Sequence, residues 1–146
     1  MAKIKFSKKH ISQFKKIGVE TIYLFGSRAH GNAGQLSDFD FGVVLENPKT
    51  YDQNPLDIYS IMYNILIDVL PKNYLHHRFK TREHEFDLVF LQYAPISLQF
   101  AAIKVNEILY QKDQEKRLFY EEYVIKEHAD LQYFYDLHSK AILERI

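Results

Sequence analysis

Two apolar runs that lie close together in the chain, with glycines and carboxylates between them, constrain the fold more than any other feature. The stretch LFGSRAHGNAGQLSDFDFGVVLE extends from Leu24 to Glu46. The residues just before Gly26 and just after Asp38 are mostly β-branched, aliphatic or aromatic, a composition typical of buried strands. The sequence therefore predicts two core strands joined by a segment rich in polar groups.

The rest of the chain alternates between helical and strand patterns. Apolar residues spaced three apart predict a short helix over residues 7–17. A second helix is expected to begin at Pro55 and to stop at Pro71, and the segment NPKTYDQNP before it is expected to be a loop. EFDLVFLQY predicts a third strand, Pro95 opens a further helix, and EILYQ predicts a short fourth strand.

Strands separated by helices predict an α/β or α+β fold with one small mixed sheet of about four strands. The length of 146 residues and the 47% hydrophobic content are typical of a single domain, so we expect residues 1–146 to form one unit. The residues from about 113 onward lack Gly and Pro and are expected to form a C-terminal helical tail.

The composition narrows the classes of function. Nineteen Lys and Arg balance nineteen Asp and Glu, so no net field favours nucleic acid or an anionic membrane. The absence of cysteine excludes disulfides, thiolate metal sites and a Cys nucleophile. With no run of eighteen apolar residues and no signal-peptide pattern, we expect a soluble, cytoplasmic protein without membrane contact.

The polar residues between the first two strands include candidates for binding phosphate and a metal ion. Gly26 and Ser27 follow the first strand, where backbone N–H groups and a hydroxyl could hold phosphate oxygens. Asp38 and Asp40 flank Phe39, and on a strand residues two apart face the same side. Two adjacent carboxylates require a cation between them, and oxygen ligands favour Mg²⁺ or Mn²⁺. Taken alone, Gly26 and Ser27 would be interpreted as an ordinary turn, and Asp38 and Asp40 as the solvated start of a strand.

The segment GSRAHGNAGQLSDFD resembles the G-S-x10-D-x-D signature of the polymerase β type nucleotidyltransferase superfamily. The short chain resembles the minimal nucleotidyltransferase (MNT) branch of that superfamily. The resemblance implies a third carboxylate on a later strand, for which Asp87 is the candidate and Glu85 the competitor. His30 departs from the pattern, because many relatives have arginine there.

The resemblance also implies how ATP is bound. Gly26, Ser27 and Arg28 would hold its β and γ phosphates, and Ser37 is assigned to the same nucleotide site.

The carboxylates are assigned to the metals and the chemical step. Asp38 and Asp40 would hold two Mg²⁺ ions, with Mn²⁺ as a substitute. Asp87 would ligate the second ion and help deprotonate an acceptor hydroxyl that attacks the α-phosphorus.

Other clusters have simpler interpretations. His76, His77 and His84 lack a recognisable ligand spacing and are expected to belong to a solvated loop. The basic segment KNYLHHRFKTREH that contains them could contact phosphates, but it is expected to be a solvated hairpin. The aromatic residues between Phe119 and Tyr135 could serve core packing or partner binding.

Within the family, MNT proteins resemble antitoxins paired with an all-helical HEPN ribonuclease toxin. The implied activity is transfer of AMP from ATP to a tyrosine of that toxin, in a hetero-oligomer and without direct nucleic-acid binding. Two alternatives stay open: a small-molecule nucleotidyltransferase of the aminoglycoside-modifying type, and an antitoxin that neutralises its partner by binding alone.

Overall fold

The computed structural model describes residues 4–26, 39–70 and 86–145. Its helices are α1 (Lys8–Ile17), α2 (Lys49–Gln53), α3 (Pro55–Val69), α4 (Ile96–Val105) and α5 (Gln114–Glu144). Its strands are β1 (Val19–Phe25), β2 (Phe39–Leu45), β3 (Phe86–Phe90) and β4 (Ile108–Gln111). None of the helices in these ranges combines the length and the apolar character that a membrane crossing requires.

The four strands form one mixed sheet in the order β3-β2-β1-β4. Strand β1 lies in the middle and pairs antiparallel with both β2 and β4. Strand β3 pairs parallel with β2, with Phe39 opposite Phe86 and Val43 opposite Phe90. The mixed sheet flanked by helices, predicted from the alternation of patterns, is confirmed.

Both faces of the sheet are covered, which explains why the strand sequences are almost continuously apolar. One face packs against α1 and α3, and its core includes Phe14 of α1 and Met62 and Leu66 of α3. The opposite face packs against α4 and α5 and buries Ala102, Ile103 and Val124. In β2, the odd-numbered residues Phe39 to Leu45 face α3, whereas Val44 faces α4.

Local signals determine the ends of the helices. The Ser7 hydroxyl accepts a hydrogen bond from the His10 N–H at 3.2 Å and caps α1. Gly18 ends α1 in the left-handed conformation, as its position in the sequence predicts. Pro55 occupies the first turn of α3.

Two boundaries differ from the sequence prediction. The segment expected to be a loop before Pro55 contains the five-residue helix α2. The third strand ends at Phe90, and residues Leu91–Tyr93 form a 3₁₀ turn. The reason is tertiary, because the Gln92 side chain turns back to pair with the backbone of Leu45, donating to its C=O at 2.7 Å and accepting from its N–H at 2.8 Å.

Helix α5 is anchored to the sheet only through its first half. The buried Tyr23 hydroxyl of β1 donates a hydrogen bond to the Glu121 carboxylate at 2.8 Å. Arg117 donates to Gln111 of β4 at 2.6 Å and forms an ion pair with Glu121. The imidazole of His128 stacks on Phe100 with ring centroids 3.9 Å apart.

Beyond residue 131 every described residue of α5 is exposed. The exposed aromatic side chains include Tyr133, Phe134 and Tyr135, of which Phe134 is 67% exposed. The second half of the predicted helical tail is therefore a projecting arm whose apolar side chains are not used by the core.

Candidate active site

Two carboxylates predicted from the sequence lie next to each other on neighbouring strands. Asp40 of β2 is paired with Asp87 of β3 in the parallel ladder. Paired residues of adjacent strands project to the same face. That face is the one covered by α4 and α5, because Val44 on the same side of β2 packs there. Asp40 is half-buried and Asp87 is exposed.

The proximity of the two carboxyl groups changes the acidity of Asp40. Burial, a side-chain hydrogen bond with Asp87 and the negative charge of Asp87 together raise its pKa from the ordinary value of 3.8 to about 6. The pair therefore holds a proton that an isolated aspartate would release, unless a cation is present to balance the second charge.

Gly26 brings the backbone at the end of β1 against this pair. Its φ of +80° lies in the left-handed region, which L side chains rarely adopt. A Cβ at this position would lie 1.9 Å from Oδ2 of Asp40. Only glycine therefore allows the chain to turn at this point while the carboxylate of Asp40 occupies its present position.

The pair opens into a cleft of about 400 Å³. Besides the two aspartates, Phe25, Tyr59, Phe86, Leu88, Val89 and Leu98 line it. Sequence reasoning did not identify Tyr59 or Leu98 as site residues. They come from α3 and α4, and no local motif marks them, because only the packing of these helices against the sheet brings them to the cleft.

The donor set of the cleft fits a hard divalent cation. Both described carboxylates supply oxygen, and such ligands suit Mg²⁺ or Mn²⁺. The carboxylate of Asp40 occupies the space that a Cβ at Gly26 would fill, so the backbone of Gly26 and this carboxylate are in close contact. Within residues 4–26, 39–70 and 86–145, no group of three His, Cys, Asp or Glu side chains is close enough to hold a metal. The described residues therefore supply two of the predicted ligands.

The structure thus brings together three of the predicted site residues: Gly26, Asp40 and Asp87. The remaining candidates lie outside the described residues. They are Ser27, Arg28, Ser37 and Asp38 of the nucleotide and metal site, the competing acid Glu85, and His30, His76, His77 and His84.

The mixed sheet, with helices on both faces and a carboxylate on each of two neighbouring parallel strands, has the architecture of a nucleotidyltransferase. The model of the family described as "Polymerase beta, Nucleotidyltransferase" matches residues 8–115. Because this match covers well over half of the chain, the protein belongs to the polymerase β nucleotidyltransferase family.

Two solved structures share the fold. One is a toxin–antitoxin crystal structure with AMP-PNP, at 18% identity, covering 94% of this chain and 99% of that chain with a TM-score of 0.54. The other is a mutant of the toxin–antitoxin MntA–HpeT, at 16% identity, covering 92% of this chain and 96% of that chain with a TM-score of 0.53. No curated protein matches the chain.

Proposed function

We propose that this protein is an antitoxin that transfers AMP from ATP to tyrosine hydroxyls of a cognate HEPN toxin and thereby inactivates it. The observation that carries this proposal is the pairing of Asp40 with Asp87 beside the Gly26 turn. A turn that admits phosphates next to two carboxylates is the equipment of nucleotidyl transfer. Membership in the polymerase β nucleotidyltransferase family supports the same reaction class.

The nucleotide is assigned to the β1 side of the site. Gly26 lets the backbone approach the phosphates without a side chain in the way. By resemblance to the family signature, Ser27, Arg28 and Ser37 contribute to the same phosphate site. In this proposal the α-phosphorus of ATP would lie close to Asp40.

The carboxylates are assigned to the cation and to the acceptor. Asp40 and Asp87, with Asp38 by resemblance, would hold Mg²⁺. When bound, Mg²⁺ neutralises charge on the phosphates and makes the acceptor hydroxyl more acidic. Asp87 is the more exposed of the two described carboxylates and accepts the proton of the tyrosine hydroxyl. The phenolic oxygen then bonds to the α-phosphorus while the bond to pyrophosphate breaks.

A protein acceptor is supported by the neighbours and by helix α5. Both solved structures above are toxin–antitoxin pairs. The projecting arm of α5 carries Tyr133, Phe134 and Tyr135, each more than half exposed. Exposed aromatic groups of this kind are enriched at protein interfaces. The arm therefore provides a docking surface separate from the cleft.

The direct test is intact-mass spectrometry of the co-encoded helical partner after incubation with this protein, ATP and Mg²⁺. Each modification should add one AMP unit and should disappear with Asp40→Asn. A partner that stays unmodified but is neutralised in a stable complex would support the antitoxin that acts by binding alone. Adenylylation of a small metabolite in place of the partner would support the small-molecule enzyme.

A further inference from the structure

The cleft that contains the carboxylates continues along the outer edge of β3. Phe86, Asp87, Leu88 and Val89 are consecutive residues, and all four line it. Successive side chains of a strand point to opposite faces of the sheet. A cavity that touches four residues in succession must therefore lie along the edge of the strand, not over one face.

This groove extends into a second cavity of about 230 Å³. Tyr59, Leu88 and Val89 line both cavities. The second cavity is completed by Tyr51, Phe90, Tyr93 and Ala94. The two cavities therefore lie side by side along β3, and together they are called the groove, which extends from Asp87 to Tyr93.

The strand that borders the groove is at the edge of the sheet. Among the four strands of the described ranges, β3 pairs with β2 on one side only. An edge strand presents backbone N–H and C=O groups that can pair with a further strand. The five residues of β3 span about 16 Å, the length of a short extended peptide.

The order of Gly26, Asp40 and Asp87 across the sheet indicates the side from which the acceptor approaches. Gly26 lies on β1, Asp40 on β2 and Asp87 on β3. If the phosphates of ATP occupy the Gly26 side, the acceptor must approach the α-phosphorus from the opposite side, which is the β3 side. In-line displacement requires attacking and leaving oxygens on opposite sides of the phosphorus.

We infer that the groove along β3 is the acceptor subsite, and that it binds an extended peptide segment of the partner by strand addition, with the acceptor tyrosine at Asp87. This inference rests on the proposed function. The second cavity is lined by three tyrosines and four uncharged residues. Such a lining suits aromatic and aliphatic side chains of a peptide.

Tyr93 is the position at which to test the groove. Its side chain is 47% exposed, its ring packs on Tyr51 with centroids 5.2 Å apart, and its hydroxyl donates to the Pro48 C=O at 2.7 Å. It lines the second cavity but not the cleft with the carboxylates. Tyr93→Ala should therefore raise the KM for the partner about tenfold, the effect of losing one anchoring aromatic, with ATP affinity unchanged.

Two variants control this measurement. Tyr93→Phe keeps the ring and loses the hydrogen bond to Pro48, so its KM for the partner should rise much less than that of Tyr93→Ala. Leu56→Ala changes a side chain that is 81% exposed on α3 and lines neither cavity, and it should have no effect. Thermal melting of each variant shows whether it is folded.

Hydrogen exchange of the complex with the co-encoded partner tests the strand addition itself. The backbone amides of residues 86–90 should exchange more slowly when the partner and AMP-PNP are bound. Unchanged exchange in β3, or an equal KM for Tyr93→Ala and wild type, would overturn the acceptor groove alone. Failure of the wild-type protein to modify the partner would instead overturn the proposed function. A dimer whose β3 amides are protected without partner would assign the edge to a second copy.

Discussion

Asp40 and Asp87 are 47 positions apart in the chain but lie directly opposite each other on two parallel strands. Their backbones are fixed by the sheet, so the two side chains are held on one face whether or not a cation is present. Burial of Asp40, together with this enforced proximity to Asp87, raises the pKa of Asp40.

Replacing Asp40 with Asn should separate activity from stability. Asp40→Asn should abolish nucleotidyl transfer, because an amide is a poor ligand for Mg²⁺. The metal-free variant should melt at the same temperature as wild type or slightly higher, since the repulsion with Asp87 is removed. Asp57→Asn, a change at an exposed position in the first turn of α3, should keep full activity and lower the melting temperature slightly, because a carboxylate there stabilises the helix. The same loss is expected for Asp38→Asn, and substantial turnover by both site variants would contradict the two-metal site.

The two candidates for the third carboxylate can be ranked kinetically. Asp87→Asn should slow the chemical step by orders of magnitude with ATP binding largely kept, because Asp87 faces Asp40 and is assigned to the acceptor proton. Glu85→Gln should have a mild effect. Single-turnover kinetics with ATP in excess measures the chemical step for both. The opposite ranking would assign the role to Glu85.

The stability of the metal-free protein should fall as pH rises from about 4 to about 6. The folded state holds the proton of Asp40 up to a pKa of about 6, whereas the ordinary value is 3.8. The stabilisation by this proton is complete below the lower pKa and is lost as pH passes the upper one. At a half-exposed site screened by solvent the loss should be about 1 kcal/mol. Urea unfolding at several pH values should show this slope, and Asp40→Asn should reduce it.

Gly26 should be intolerant of any side chain, for two separable reasons. Gly26→Ala should lower stability through its positive φ, by about 1–2 kcal/mol, and additionally through the 1.9 Å approach to Asp40 Oδ2. Gly18→Ala is the matched control, because Gly18 has a similar φ of +83° but its nearest contact would be 3.6 Å away.

A double-mutant cycle isolates the steric part at Gly26. With Asp40→Ala as background, the contact of a Cβ at Gly26 with the remaining Cβ would be 3.4 Å, so Gly26→Ala should be about as harmful as Gly18→Ala. Equal losses for Gly26→Ala in both backgrounds would show that the backbone at Gly26 can move away from Asp40.

The projecting arm of α5 should contribute to partner binding but not to folding. Replacing Tyr133, Phe134 and Tyr135 together with Ala should leave the thermal midpoint unchanged, because all three are exposed. Affinity for the partner, measured by titration calorimetry, should fall at least tenfold. Tyr120→Ala should instead lower the midpoint, since the Tyr120 hydroxyl donates to Gln99 at 2.7 Å inside the fold. An unchanged affinity for the triple variant would limit docking to the cleft.

The sequence by itself determined most of the elements and the nature of the chemistry. The boundaries of α1 and α3 follow from Ser7, Gly18 and Pro55, which act on their own neighbours in the chain. The Asp-x-Asp pair and the glycine turn are likewise local, so their resemblance to the nucleotidyltransferase signature could be recognised without coordinates. The helical tail was also predictable, because it contains no residue that would end a helix.

Only the tertiary structure decided which distant residues meet. The parallel pairing of β2 with β3 places Asp87 opposite Asp40, and no local pattern fixes that register. The end of β3 at Phe90 depends on Gln92 bonding to Leu45, 47 positions away. Tyr51, Tyr59 and Tyr93 are unremarkable in the sequence, and they form a groove only because α2, α3 and the 3₁₀ turn pack against one edge of the sheet. Interactions between near neighbours in the chain specify the helices and strands. The site depends on contacts between residues that are far apart in the sequence, and local sequence patterns do not show which of these residues meet.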